Sequence, residues 1–325
     1  MKKLILASVC ILFLNMGFSK KLSLYLFLGG DSVKEHLVDI NHSEVKGVQI
    51  IYSWKRLEPK KGDYDFSAID EDYKMLNSIG KKLFIQLQDR SFTISNIPVP
   101  KYLQTKEYDY GVEQQTDFPG EGKPLGVGWV TKQWNAKVRD RFQKLISKLA
   151  QKYDGKIAGI NLPESSIDID PKLTTTEFCN SYTDSLITNI KFTREEFKKS
   201  YVVQYINFLP CEWNNDQGYM QKIFKILVDN KIGIGNPDSV PYKSTQMKNS
   251  YPFIHRYKGD LSLITIAVQS PDYTYINPKT GKKYEISDFY NFDKDYIGAD
   301  IIFWNIQQPQ LTEAQKLFVE KDGAK

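Results

Sequence analysis

Gly159-Ile160-Asn161-Leu162-Pro163-Glu164-Ser165-Ser166 is the stretch on which the reading of the fold turns. Before it, Val138, Phe142, Leu145, Ile146 and Leu149 recur at helical spacing, and the turn Tyr153-Asp154-Gly155-Lys156 closes that run. Residues 157–160 then read as a short buried strand that ends near a glutamate, with helix-forming sequence downstream. A carboxylate just past the carboxyl end of a parallel strand is where (β/α) barrels carry catalytic groups. The same glutamate also suits a plain loop position, capping a helix or pairing with a lysine.

Seven further apolar runs decide between these. Residues 22–28, 48–52, 82–87, 201–208, 232–234, 261–268 and 300–304 each read as a buried strand, and mostly helical sequence separates them. The spacing of Ile69, Tyr73, Leu76 and Ile79 predicts one helix, that of Phe178, Tyr182, Leu186 and Ile190 another; residues 218–230 and the segment from Thr312 add two more. Eight strands alternating with helices predict an α/β fold, a (β/α)8 TIM barrel forming a single domain over residues 20–325. A doubly wound sheet is the alternative, but it lacks its usual glycine-rich phosphate loop here. Residues 93–133, rich in proline and glycine, are expected to form one long loop over the barrel mouth. Tyr102, Tyr108, Tyr110, Phe118 and Trp129 suit an ordered lid better than a linker.

After the second strand come Trp54, Leu57, Glu58, Pro59, Gly62, Tyr64, Asp65 and Phe66. Over residues 48–92 this unit resembles the TIM-barrel glycoside hydrolases of clan A type, the β-galactosidases and cellulases. The resemblance implies an acid/base glutamate at the end of strand four, a place that Glu164 fits. Asn161 stands three residues before it, where the family usually has an asparagine immediately before. The family's nucleophile is a glutamate at the end of strand seven, and this sequence has Gln269 there, an amide that cannot attack as a carboxylate.

Glycoside cleavage needs two carboxyl groups, one to protonate the leaving oxygen and one to attack or to activate water. For the second group the sequence offers Asp272 and Asp238, each of which also reads as a turn residue, in Ser270-Pro271-Asp272 and in Asn236-Pro237-Asp238-Ser239. Glu58 reads as structural. Asp89 fits either a pair with Arg90 or a contact with a ligand hydroxyl. Sugars are held by aromatic faces and polar partners, so Trp54, Phe92, Trp129, Tyr205, Tyr273 and Trp304, with Asp89, Asn207 and Gln269, are the expected binding set. Each of these aromatics alone fits a core equally well.

Composition bounds the partners. With 325 residues, 41% hydrophobic and 26% charged, the chain is long enough for one large core. Lys2 and Lys3 precede the apolar run of residues 4–14, and Gly17 and Ser19 take the small-residue positions of a secretory signal peptide, residues 1–19, cleaved after Ser19. A lipoprotein signal at Cys10 is opposed by Val9, and the run is short for a membrane span. A secreted or periplasmic protein is expected. Cleavage lowers the net charge from +5 to +3, and the lysines are spread among acids, which argues against nucleic acid. Cys179 and Cys211 permit one disulfide without implying it. His36, His42 and His255 show no metal-ligand spacing, so neither metal nor other cofactor is expected. The expectation is a monomeric, glycoside hydrolase-like protein acting on an oligo- or polysaccharide. The alternative is a catalytically inactive carbohydrate-binding protein on the same fold.

Overall fold

The computed structural model describes residues 21–116, 128–270 and 272–322. The signal sequence expected at residues 1–19 lies outside them. Eight strands form a closed ring: β1 (Ser23–Phe27), β2 (Val45–Ser53), β3 (Lys82–Gln88), β4 (Gly159–Leu162), β5 (Tyr201–Tyr205), β6 (Gly233–Asn236), β7 (Ile264–Val268) and β8 (Ile301–Asn305). Every neighbouring pair is parallel, and β1 closes on β8 from Ser23–Ile301 to Phe27–Asn305. This is the (β/α)8 barrel expected from the alternation of apolar runs and helical spacing.

Strand alternation divides the core in two. Tyr25, Phe84, Val203, Tyr205, Ala267 and Phe303 fill the interior of the ring, while Ile50, Ile85, Ile160, Val202, Ile266 and Ile302 face the helices outside it. Large rings inside are accommodated by missing side chains beside them. A Cβ at Gly159 would stand 2.2 Å from the Phe84 ring, and one at Gly235 would stand 2.3 Å from Tyr205.

Outside the ring, α1 (Ser67–Ser78) and α2 (Ala136–Tyr153) follow their sequence periodicity. Asn135 starts α2 by accepting the amides of Lys137 and Val138 at 2.9 and 3.3 Å, a cap that contributes about 1 kcal/mol. Its Val138, Phe142, Leu145, Ile146 and Leu149 are buried, each adding roughly 1.5–3 kcal/mol of transfer free energy. Further round the ring are α3 (Thr176–Glu196), α4 (Tyr219–Asp229) and α5 (Ser250–Tyr257), and α6 (Gln310–Asp322) closes the chain. Cys179, on α3, is disulfide-bonded to Cys211 in the segment after β5, with Cα atoms 6.1 Å apart.

The segment after β3 departs from the single long loop that was expected. Arg90–Ser91, Gly128–Thr131 and Val112–Gln115 form a small antiparallel sheet in that spatial order, with short 3-10 turns at Lys101–Leu103 and Lys106–Tyr108 between Arg90–Ser91 and Val112–Gln115 in the chain. Its strands Val-Glu-Gln-Gln and Gly-Trp-Val-Thr are too short and too polar to register as strands in sequence. Tyr102 and Tyr108 pack at the side of the barrel, stacked edge to face at 5.8 Å. Phe118 lies outside the described residues.

Candidate active site

The four residues after β4 are tied down from every side. Gln204 donates to the Pro163 carbonyl at 2.5 Å, and the Ser165 amide donates to the Tyr205 carbonyl at 3.0 Å. Tyr182 donates its hydroxyl to the Ser165 carbonyl at 2.8 Å, and Arg90 donates to the Ser166 carbonyl at 2.6 Å. These bonds fix the backbone on both sides of Glu164, and so the direction of its side chain. Asn207, just past β5, completes the frame. Its Nδ2 donates to Glu164 Oε2 at 2.6 Å, while its Oδ1 accepts the amides of Ser166 and Phe208 at 3.0 and 2.9 Å.

Glu164 faces a cavity of about 380 Å³ at the carboxyl ends of the strands, within the roughly 300–1,000 Å³ of small-ligand sites. Gln86, Gln88, Asp238 and Gln269 supply its polar walls; Phe27, Ile51, Phe92 and Pro237 supply apolar ones, and Tyr205 borders it from the barrel interior. Tyr205 is locked by reciprocal hydrogen bonds to Gln49 at 2.9 and 3.1 Å. Glu164 also borders a cavity of about 30 Å³ on its other side, where Asp89, Arg90 and Gln204 lie. Burial pushes the Glu164 carboxyl up to about 7, against the pull of Arg90, with Asp238 adding to the rise and the Asn207 bond opposing it. Asp238 is itself raised by burial, with Lys243 pulling the other way. Two carboxyl groups therefore share one amide-lined cavity, and one of them holds its proton near neutrality.

No family model and no curated protein matches the chain. Solved structures do. Over 87% of this chain and 52% of theirs, a β-galactosidase from the haloarchaeon Halorubrum lacusprofundi superposes with a TM-score of 0.57 at 12% identity. One from the psychrophile Marinomonas ef1 superposes at 0.58 and 12% identity over 93% of this chain and 60% of that one. A psychrophilic family 10 endo-β-1,4-xylanase gives 0.52 at 11% identity over 88% and 87%. The fold is that of the glycoside hydrolase barrels. The chain spans little more than half the length of the β-galactosidases but most of the xylanase.

On this barrel the tip of β7 carries Gln269, whose Nε2 donates to the Pro237 carbonyl at 2.7 Å. Asp272 does not lie beside it in the cavity. Its carboxylate turns back to accept the Gln269 amide at 2.8 Å, the turn reading of that residue, and it is buried. Burial, with Asp238 nearby, pushes it up to about 8. Of the two candidate second carboxylates, Asp238 alone lines the cavity.

The expected binding residues divide in the same way. Phe92, Tyr205 and Gln269 line the cavity. Trp54 and Trp304 do not: both are fully buried, Trp54 bonded to Glu58 at 2.8 Å and Trp304 packed edge to face on Phe289. On β8 the inward positions are Ile301 and Phe303, which turns Trp304 outward. Tyr273 is buried and bonds Gln307 at 2.5 Å, beside α6. Trp129 uses its indole to hold the Ile94 carbonyl at 2.8 Å. Asp89 is buried, accepts from Gln133 at 2.9 Å and stands 3.5 Å from Arg90, which is the pairing alternative. Asn207 positions Glu164. Gln86, Gln88 and Arg90 went unpredicted, although alternation from Phe84 along β3 points Gln86 and Gln88 inward. Among the described residues no group of three or more His, Cys, Asp or Glu side chains is arranged to hold a metal.

Proposed function

We propose that this chain is an exported, monomeric glycoside hydrolase acting on an oligo- or polysaccharide. Glu164 is the general acid/base and Asp238 the second carboxylate. The observation that carries the reading is a carboxyl group raised to about 7 on a rigid mount, facing the same cavity as a second carboxyl group. Glu164 donates its proton to the glycosidic oxygen as the C–O bond breaks, so the leaving sugar departs as a neutral alcohol. Asp238, in its ionised form, meets the developing positive charge at the anomeric carbon, by attack or by taking a proton from the attacking water. The amides of Gln86, Gln88 and Gln269 suit sugar hydroxyls, since each can both donate and accept. The Cys179–Cys211 disulfide supports export, because such bonds persist in oxidising compartments.

Turnover of p-nitrophenyl β-galactoside, β-glucoside and β-xyloside, and of the matching oligosaccharides, tests this. Following the product anomer by NMR then separates attack by Asp238 from activation of water. The account expects turnover by the wild type and a loss of about 10²–10⁴-fold in Asp238→Asn. Gln269 in the strand-seven position favours a second reading, a carbohydrate-binding protein without turnover. Sugar binding by calorimetry, with no hydrolysis of any of these substrates, is the result that selects it.

A further inference from the structure

The segment after β5 builds a second concave surface next to Glu164. A groove of about 420 Å³ runs between Ser166–Thr174 on one side and Phe208–Trp213 on the other. Its two walls start where Asn207 holds Glu164: Ser166 and Phe208 both donate their amides to Asn207 Oδ1. The walls of the groove therefore begin at the side chain that also holds the Glu164 carboxyl facing the mouth cavity.

At the rim of the groove stands Trp213, 46% exposed, which is unusual for the largest apolar side chain. Its ring lies parallel to that of Phe208, 3° apart in plane and 6.0 Å between centroids. The mount beneath it is rigid. Cys211 is bonded to α3, Asp216 accepts the Trp213 amide at 3.0 Å, and Asn249 accepts the next amide at 3.1 Å. Buried Glu212 takes the first two amides of α4, Tyr219 and Met220, at 2.6 and 2.8 Å. Cys211, Asn214 and Asn215 all adopt left-handed backbone, with φ of 63°, 55° and 58°. A loop so constrained, presenting an exposed indole, is preorganised for a flat apolar face.

We infer that this groove, with Trp213 as its platform, takes the leaving-group side of a saccharide whose other part occupies the mouth cavity. The natural substrate is then an oligosaccharide of two or more rings, for which a p-nitrophenyl glycoside is a truncated stand-in carrying an activated leaving group. This rests on the assignment of Glu164 as the acid, because the group that protonates the glycosidic oxygen has the departing sugar beside it. A pyranose offers an apolar face to an indole much as a nucleobase does to an aromatic ring, and such stacking is worth about tenfold or more in affinity.

Binding to Glu164→Gln, followed by calorimetry with cellohexaose, xylohexaose and galactohexaose against the matching monosaccharides, tests the groove without turnover. The hexaose expected to bind does so more tightly than its monosaccharide, and adding Trp213→Ala lowers that ratio about tenfold, while Trp213→Phe restores most of it. A melting temperature unchanged from the parent shows that the loop has kept its fold. A ratio unaffected by Trp213→Ala, in a protein that hydrolyses p-nitrophenyl glycosides, overturns the groove and leaves the acid standing. Binding of no hexaose and no monosaccharide overturns both.

Discussion

Asn207 donates to Glu164 Oε2 at 2.6 Å and with its other amide atom gathers the backbone amides of Ser166 and Phe208. One side chain just past β5 thus sets both the direction of the carboxyl group that follows β4 and part of its proton affinity. Asn207→Ala removes the positioning and also a bond that holds the Glu164 carboxyl down. The expected result is a kcat lower by about 10²-fold, with the alkaline limb of the pH–rate profile moved to higher pH. A limb that stays put shows that Asn207 does not act through Glu164.

The pH dependence of the wild type follows from the same carboxyl group. With the Glu164 carboxyl at about 7, the acid form is full below that pH and is lost above it, so kcat/KM falls about tenfold per unit on the alkaline side. The acid limb belongs to Asp238, raised by its burial, which must be ionised. Because the two groups interact, the limbs measured between pH 4 and 9 belong to the pair. An alkaline limb near the ordinary glutamate value contradicts the assignment.

Glu58 anchors the barrel away from the site. It is fully buried and accepts from Trp54 at 2.8 Å, the Gly62 amide at 2.9 Å, the Tyr102 hydroxyl at 2.9 Å, and Arg141. Glu58→Ala leaves the Arg141 guanidinium enclosed without its carboxylate, which costs about 3–5 kcal/mol. Thermal unfolding is expected to come on the order of 10 °C earlier. A shift of a degree or two shows that the pair is weakly coupled to the fold.

Asp293 predicts a slope of stability with pH. It is fully buried, accepts from Ser239 at 2.7 Å, and burial pushes its carboxyl up to about 8. In the folded protein it keeps a proton that the unfolded chain releases above about 4, so stability is greatest below that pH and falls as pH rises towards 8. Asp272 is also raised to about 8 and acts in the same direction. Melting temperatures from pH 5 to 8 are expected to decline, and Asp293→Asn, which retains an acceptor for Ser239, makes the decline shallower. An identical slope in that variant removes Asp293 from the account.

The barrel was legible because its strands are buried on both faces and stand out as apolar runs, and because Glu164 follows one of them directly. Orientation within a strand was harder to read. Trp304 and Phe303 are neighbours at the tip of β8, yet one faces the helices and the other the barrel interior, and a one-residue step exchanges those fates. Trp54 sits past its strand, on a turn whose partner Glu58 draws the indole away from the mouth. Asp272 and Asp238 both read as turn residues. Only the backbone shows that the first turns back onto the Gln269 amide while the second lines the cavity. The partnership of Asn207 with Glu164 joins residues 43 apart and depends on β4 and β5 lying side by side. No local pattern encodes it.

The central claim is that Glu164 gives a proton to the departing oxygen, and leaving-group dependence measures it directly. Glu164→Gln and the wild type are compared on a 2,4-dinitrophenyl glycoside, whose leaving group needs no proton, and on the phenyl glycoside of the same sugar, whose leaving group does. The account predicts that the variant loses about 10²–10⁴-fold on the phenyl glycoside and far less on the dinitrophenyl one. Equal losses on both, or undiminished turnover in the variant, contradict it.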